Sequence, residues 1–133
     1  MRFTCSNCSD FEIPDDWWFH AGMDRFRKDV SDAYVFAPSQ LHPGHPVTLV
    51  PLVKIEPVHR AVALDFGGFD RARMVRILQG FVAGDAIEPV PLNMIDKAAY
   101  RFAVYDGFHR FHAAVAAGYR LLPALIGEWG LFG

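Results

Sequence analysis

The sequence predicts an α+β fold, a small mixed β-sheet with helices packed on it, and three observations lead there. Short β-branched or alternating runs recur at 47–55, 100–105 and 121–126. Between them, Met74, Ile77, Leu78, Phe81 and Val82 recur at helical spacing, as do Phe108, Phe111, Val115 and Gly118. Finally, 133 residues, 52% hydrophobic and 14% aromatic, suffice for one packed core without disulfides or metals.

Taken in order, residues 1–46 read as an aromatic and proline-rich extension packed on the core through Trp17, Trp18 and Phe19, and residues 47–133 as the domain proper. Within the extension, Cys5-Ser-Asn-Cys8 reads as a loop. Pro14 followed by two acids and an apolar cluster reads as a helix start. Three prolines and a glycine make 37–46 irregular. The 47–55 run is a strand with Pro51 near an edge or a bulge. A short strand is expected at 61–66, before Gly67-Gly68. Asp70 then suits the N-cap of a helix running to about Val82, with Arg73 and Arg76 directed away from its apolar face. Residues 87–95 read as a proline-bracketed strand and 100–105 as an alternating one. A last helix ends at Gly118, and 121–126 closes the chain as a strand.

Charge narrows the function classes. Thirteen Lys and Arg stand against 15 Asp and Glu, a formal charge of −2, whereas duplex-binding domains carry a basic excess. Nucleic acid is therefore not the favoured partner. The two cysteines suggest no disulfide framework, and the start has neither a signal-peptide run nor a membrane span. A cytoplasmic protein without a membrane partner is expected.

Chemistry concentrates in Val104-Tyr-Asp-Gly-Phe-His-Arg-Phe-His112. A strand, a glycine turn and an alanine-rich helix place Asp106, His109 and Arg110 at a helix mouth, where backbone N–H groups and the helix dipole favour an anion. Arg110 offers a planar fork for phosphate, and His109 can donate a bond or move a proton. Asp106 can orient either of them, hold magnesium, or simply cap the helix. The bland alternatives are that Arg110 pairs with an acid and His109 caps a neighbouring carbonyl. His112 falls beside Phe108 and Val115 and reads as a histidine at the core edge.

From about Val47 to Ile126 the chain resembles the ParB/sulfiredoxin superfamily. The matching pieces are Lys-Ile-Glu-Pro57 with Arg60 following, Met74-Val-Arg-Ile-Leu-Gln-Gly80, Ile87-Glu-Pro-Val-Pro-Leu92, and Asp-Gly-Phe-His-Arg110 with Ala113, Ala114, Gly118 and Pro123 behind it. The resemblance implies a phosphate or nucleotide site at Gly107, Phe108, His109 and Arg110, with Arg60 as a further binding residue. It implies Asp106 and His109 as catalytic candidates, and ATP or another nucleotide with magnesium as ligand. Members of that superfamily bind or hydrolyse CTP, repair an oxidised cysteine with ATP, phosphorylate free serine, or are called ParB-like nucleases.

The departures trim these options. Phe108 stands where sulfiredoxins carry their cysteine. Phe108 and His109 both depart from the Gly-Glu-Arg-Arg of partition proteins, which also need a helix-turn-helix domain beyond where this chain stops. Asp-Gly-His-His-Arg of the serine-kinase-like members is the nearest motif. Where those carry a catalytic glutamate this chain has Val58, His59 and Arg60, with only Glu56 nearby.

The leading expectation is a domain that binds a nucleotide or phosphorylated small molecule at the 106–110 turn, with phosphoryl transfer or nucleotide hydrolysis as its chemistry; the sequence does not decide between binding and catalysis. A ParB-like DNA-binding or nuclease module, and a non-catalytic module meeting a protein partner through its aromatic start, are the alternatives. Cys5, Cys8, His42 and His45 make four potential zinc ligands, but the gap between the pairs is far longer than in a zinc finger, and no metal site is expected.

Overall fold

The computed structural model describes residues 1–5, 8–26, 32–56 and 68–130. Its elements are β1 (Arg2–Cys5), β2 (Cys8–Glu12), α1 (Asp15–His20), β3 (Thr48–Pro51), β4 (Ile55–Glu56), α2 (Arg71–Ala83), β5 (Val90–Met94), β6 (Phe102–Val104), α3 (Phe108–Ala117) and β7 (Leu121–Gly127). The fold is α+β. β1 and β2 make a hairpin, and the other strands form one mixed sheet in the order β3-β7-β5-β6-β4. The ladder is antiparallel between β3 and β7 and between β5 and β6, and parallel between β5 and β7 and between β4 and β6.

The 47–55 run sets the shape of that sheet, and it is not a single strand. Pro51 ends β3, a 3-10 turn over Leu52–Lys54 follows, and Ile55 opens β4 on the opposite edge. The Leu52 amide donates to the Arg120 carbonyl (2.9 Å) and the Arg101 amide to the Lys54 carbonyl (2.9 Å). In a flat five-stranded sheet the two edges stand four strand spacings apart, about 19 Å. Four Cα steps from Pro51 to Ile55 reach about 15 Å at most. The sheet must curl, and it does so around β5 and β7, whose Val90, Leu92, Leu122, Ala124 and Leu125 are fully buried. Strands covered on both faces read as near-continuous apolar runs, as these do.

α2 begins where expected. The Asp70 carboxylate (Oδ2) accepts the Arg73 amide at 2.9 Å, an N-cap hydrogen bond. Its buried stripe is Met74, Val75, Leu78 and Phe81, while Val82, expected on that face, is 40% exposed. The stripe is turned toward Val75 because the helix packs against both α1 and α3. α3 ends at Gly118, whose φ of 89° is the left-handed conformation expected of a C-terminal glycine.

β5 starts at Val90, three residues later than the 87–95 reading. The reason lies in α3: the carbonyls of Glu88 and Pro89 are taken by the Arg110 guanidinium, not by a neighbouring strand.

The N-terminal region shares the core. Ile13, Trp17, Trp18, Met23 and Tyr34 are buried in one cluster with Met74, Leu78, Leu92 and Phe111. Phe19, expected at that contact, is 57% exposed, since the short α1 turns Trp17 and Trp18 inward and carries the next side chain past the core. Cys5 and Cys8, read as part of a loop, are the facing ends of β1 and β2, and residues 6 and 7 between them lie outside the described residues. Phe3 and Phe11 are cross-strand partners with ring centroids 5.5 Å apart, and Phe3 also packs on Trp18 at 5.0 Å, which anchors the hairpin. The expected strand at 61–66 lies outside the described residues. Among the described residues, no helix is long and apolar enough to cross a membrane.

Candidate functional site

The 106–110 turn is built on a position that requires glycine. Gly107 is buried, with φ 132° and ψ 33°, and a Cβ there would meet Val90 Cγ1 at 2.8 Å. Close approach to β5 therefore seats the start of α3 directly on the sheet. Gly107, at the N-cap position of this helix, makes no side-chain cap hydrogen bond. Asp106, a potential cap, is exposed instead, with Oδ2 3.8 Å from Arg110 Nη2.

His109 is 6% exposed, and its Nε2 accepts the Asp70 amide at 2.8 Å. A backbone N–H is always a donor, so Nε2 carries no proton and the ring is neutral there. The bond ties the start of α3 to the start of α2. Arg110 is held as firmly. Its Nη1 donates to the Pro89 carbonyl at 2.7 Å and to the Glu88 carbonyl at 3.2 Å, while Nη2 lies 3.5 Å from the Asp106 carbonyl. Tyr34, fully buried, donates its hydroxyl to the same Glu88 carbonyl at 2.8 Å. Burial pushes the Tyr34 phenol well above its ordinary pKa, with the Arg110 charge opposing and the Glu88 charge adding to the shift. Both residues expected to grip a ligand thus also hold the framework together.

Around this framework lies a cleft of about 550 Å³. Gly107, Phe108, His109 and Arg110 line one wall, with Asp106 beside them. Arg73 and Arg76, expected to point away from the apolar face of α2, form another. They are exposed, and neither guanidinium has an ion-pair partner among the described residues. Asp70 as N-cap fixes the phase of α2, and positions 73 and 76, three apart, fall on one side of it. That spacing was the available signal. Glu88 also lines the cleft, its carboxylate bound by the Ser39 hydroxyl. No pattern singles it out, because it lies in irregular chain before β5 and is placed only by contacts distant in sequence.

Ile77, Ile87 and Leu41 add apolar surface to the cleft. Phe108, expected in the site, belongs to both core and cleft. It is buried against Phe69, centroids 5.1 Å apart, and still reaches the cleft. His112 is a core-edge residue, with Nδ1 2.8 Å from the Phe108 carbonyl. Arg60 lies outside the described residues.

The histidines considered for zinc have other contacts. His42 and His45 pack on Trp129 with centroids 4.4 and 5.0 Å away, and His45 Nε2 donates to the Ile126 carbonyl at 2.9 Å. The side chains of Cys5 and Cys8 lie outside the described residues, among which no group of three or more metal-ligating side chains occurs.

Chemically, the cleft offers two cations without an ion-pair partner among the described residues, the positive end of a helix dipole and a patch of apolar surface. Anions with an apolar body fit that combination. No protein-family model matches the chain, and no curated protein matches it.

Proposed function

We propose that this chain is a small ParB/sulfiredoxin-like domain that binds a nucleotide or another phosphorylated small molecule in the cleft between α2 and the start of α3. One observation carries the reading: Arg73 and Arg76 of α2 meet the 106–110 turn across a single cleft. Two guanidinium groups across a cleft from a helix N-terminus suit a multiply charged phosphate, which the planar fork of arginine binds through paired hydrogen bonds. In this arrangement Arg73 and Arg76 grip the anion. His109 and Arg110 shape the wall behind it, and Phe108, Ile77 and Ile87 bound its apolar part. A nucleotide brings magnesium on its own phosphates, with Asp106 the carboxylate placed beside the turn. A cytoplasmic setting accords with such ligands and with the sparse cysteine content.

Thermal unfolding in the presence of nucleoside mono-, di- and triphosphates, pyrophosphate and inorganic phosphate, each with and without magnesium, tests this. A ligand that binds the native state raises its melting temperature. At least one phosphate compound is expected to do so, and the Arg73→Ala/Arg76→Ala variant is expected to lose the shift while melting as before without ligand. No shift with any compound, or a shift unaltered in that variant, overturns the assignment.

A further inference from the structure

The cleft holds charges of both signs that do not neutralise each other. Glu88 forms no ion pair with any described residue, although Arg73 and Arg76 line the same space. Its backbone is pinned from two sides, by the Tyr34 hydroxyl and by Arg110 Nη1, both donating to the Glu88 carbonyl. Its side chain is pinned as well: Oε1 accepts from the buried Ser39 hydroxyl, whose oxygen in turn accepts the His42 amide at 3.0 Å. The other carboxylate oxygen, Oε2, has no hydrogen bond among the described residues. A carboxylate held in one orientation with a free oxygen is a preset acceptor, and little side-chain freedom is lost when a donor arrives.

We propose that Glu88 is the specificity-determining residue of the cleft: it accepts an N–H donor from a ligand whose phosphate sits on Arg73 and Arg76. This rests on the anion-binding assignment above. The cleft then takes phosphate esters that also carry an amino or ammonium group, and discriminates against those presenting a carbonyl or nothing there. A site built to hydrogen-bond one group rejects an analogue lacking it, because its own polar atom is left unpaired.

Calorimetric titration of the full chain with two matched pairs tests this. Adenosine and inosine monophosphates differ in a base amine against a carbonyl, and phosphoethanolamine and ethyl phosphate differ in an ammonium group. The amino-bearing member of at least one pair is expected to bind about tenfold more tightly, the size of one charge-assisted hydrogen bond. Which pair shows the preference tells a base amine from an aliphatic ammonium. Glu88→Ala is expected to abolish the preference, so that the two members of that pair bind within about twofold of each other. Glu88→Gln, nearly isosteric and still an acceptor, is expected to keep part of it. Binding without preference, or a preference that survives Glu88→Ala, overturns the role of Glu88 alone. If no phosphate compound binds at all, the cleft assignment fails and takes this role with it.

Discussion

The two long helices start within one hydrogen bond of each other and start in opposite ways. α2 is finished by its own neighbours: the Asp70 carboxylate takes the Arg73 amide, and His109 Nε2 takes the amide of Asp70. α3 begins on a buried glycine, has no side-chain cap, and borders a cleft. The arginines divide the opposite way, the pair that lines the cleft standing on α2 and the one bound by carbonyls on α3. Arg110 is consumed by carbonyls, whereas Arg73 and Arg76 face open space. One helix start is completed by hydrogen bonds from its neighbours, and the other carries a glycine at its cap position and opens onto the cleft.

Four substitution sets and one titration probe that contrast, from the largest expected effect to the smallest. Gly107→Ala forces a side chain into a positive-φ conformation and against Val90, and is expected to cost about 3 kcal/mol in urea unfolding. A cost below about 1 kcal/mol would show that α3 tolerates an ordinary start. Arg110→Ala removes the donor shared by the Glu88 and Pro89 carbonyls and is expected to destabilise by about 2 kcal/mol.

Tyr34 reports on the same pinned segment through pH. Its neutral form is favoured in the fold, so the unfolded phenol ionises first once pH rises past its ordinary 10.0. The unfolded state then binds fewer protons than the native state, and stability falls with rising pH. The Tyr34 share of the fall begins near pH 10 and reaches at most about 1.4 kcal/mol per pH unit, read from urea midpoints at pH 9 and 11. Tyr34→Phe should flatten much of this slope; what remains reflects Tyr119, whose phenol burial also shifts upward. A slope unchanged by Tyr34→Phe would exclude Tyr34 as its source.

Asp70→Ala should cost about 1 kcal/mol, the value of one N-cap. Arg73→Ala and Arg76→Ala should each change stability by less than about 0.5 kcal/mol, as exposed residues do. If these two proved costlier than Arg110→Ala, the division of labour among the arginines would be reversed.

Much of the frame was legible because it is written locally. Asp70 as a cap, Gly118 as a stop, the apolar spacing of α2 and α3, and β7 all follow from neighbours a few positions apart. What escaped depends on contacts between distant residues. The 47–55 run looks like one strand because nothing local says that its halves belong to opposite sheet edges. The hairpin of β1 and β2 rests on Phe3, Phe11 and Trp18 meeting in space. The site divides in the same way. The glycine turn was visible as a motif, Arg73 and Arg76 were visible only as a helix phase, and Glu88 carried no signal. Nor did the motif reveal that His109 and Arg110 are bonded into the framework, since the partners are backbone groups of Asp70, Glu88 and Pro89.

The short link between β3 and β4 bears on how the molecule assembles. Thr48 must find Ala124, and Ile55 must find Phe102, yet the two searches share one stretch of chain and cannot be completed independently. Loop closures of that length lose chain entropy before any contact compensates. Closing of the two sheet edges, β3 on β7 and β4 on β6, should therefore be a single late and slow event, after β5, α3 and β7 have gathered because they are close in sequence. Lengthening the 52–54 turn by a few glycines would let the two edges close separately and would split one kinetic phase into two.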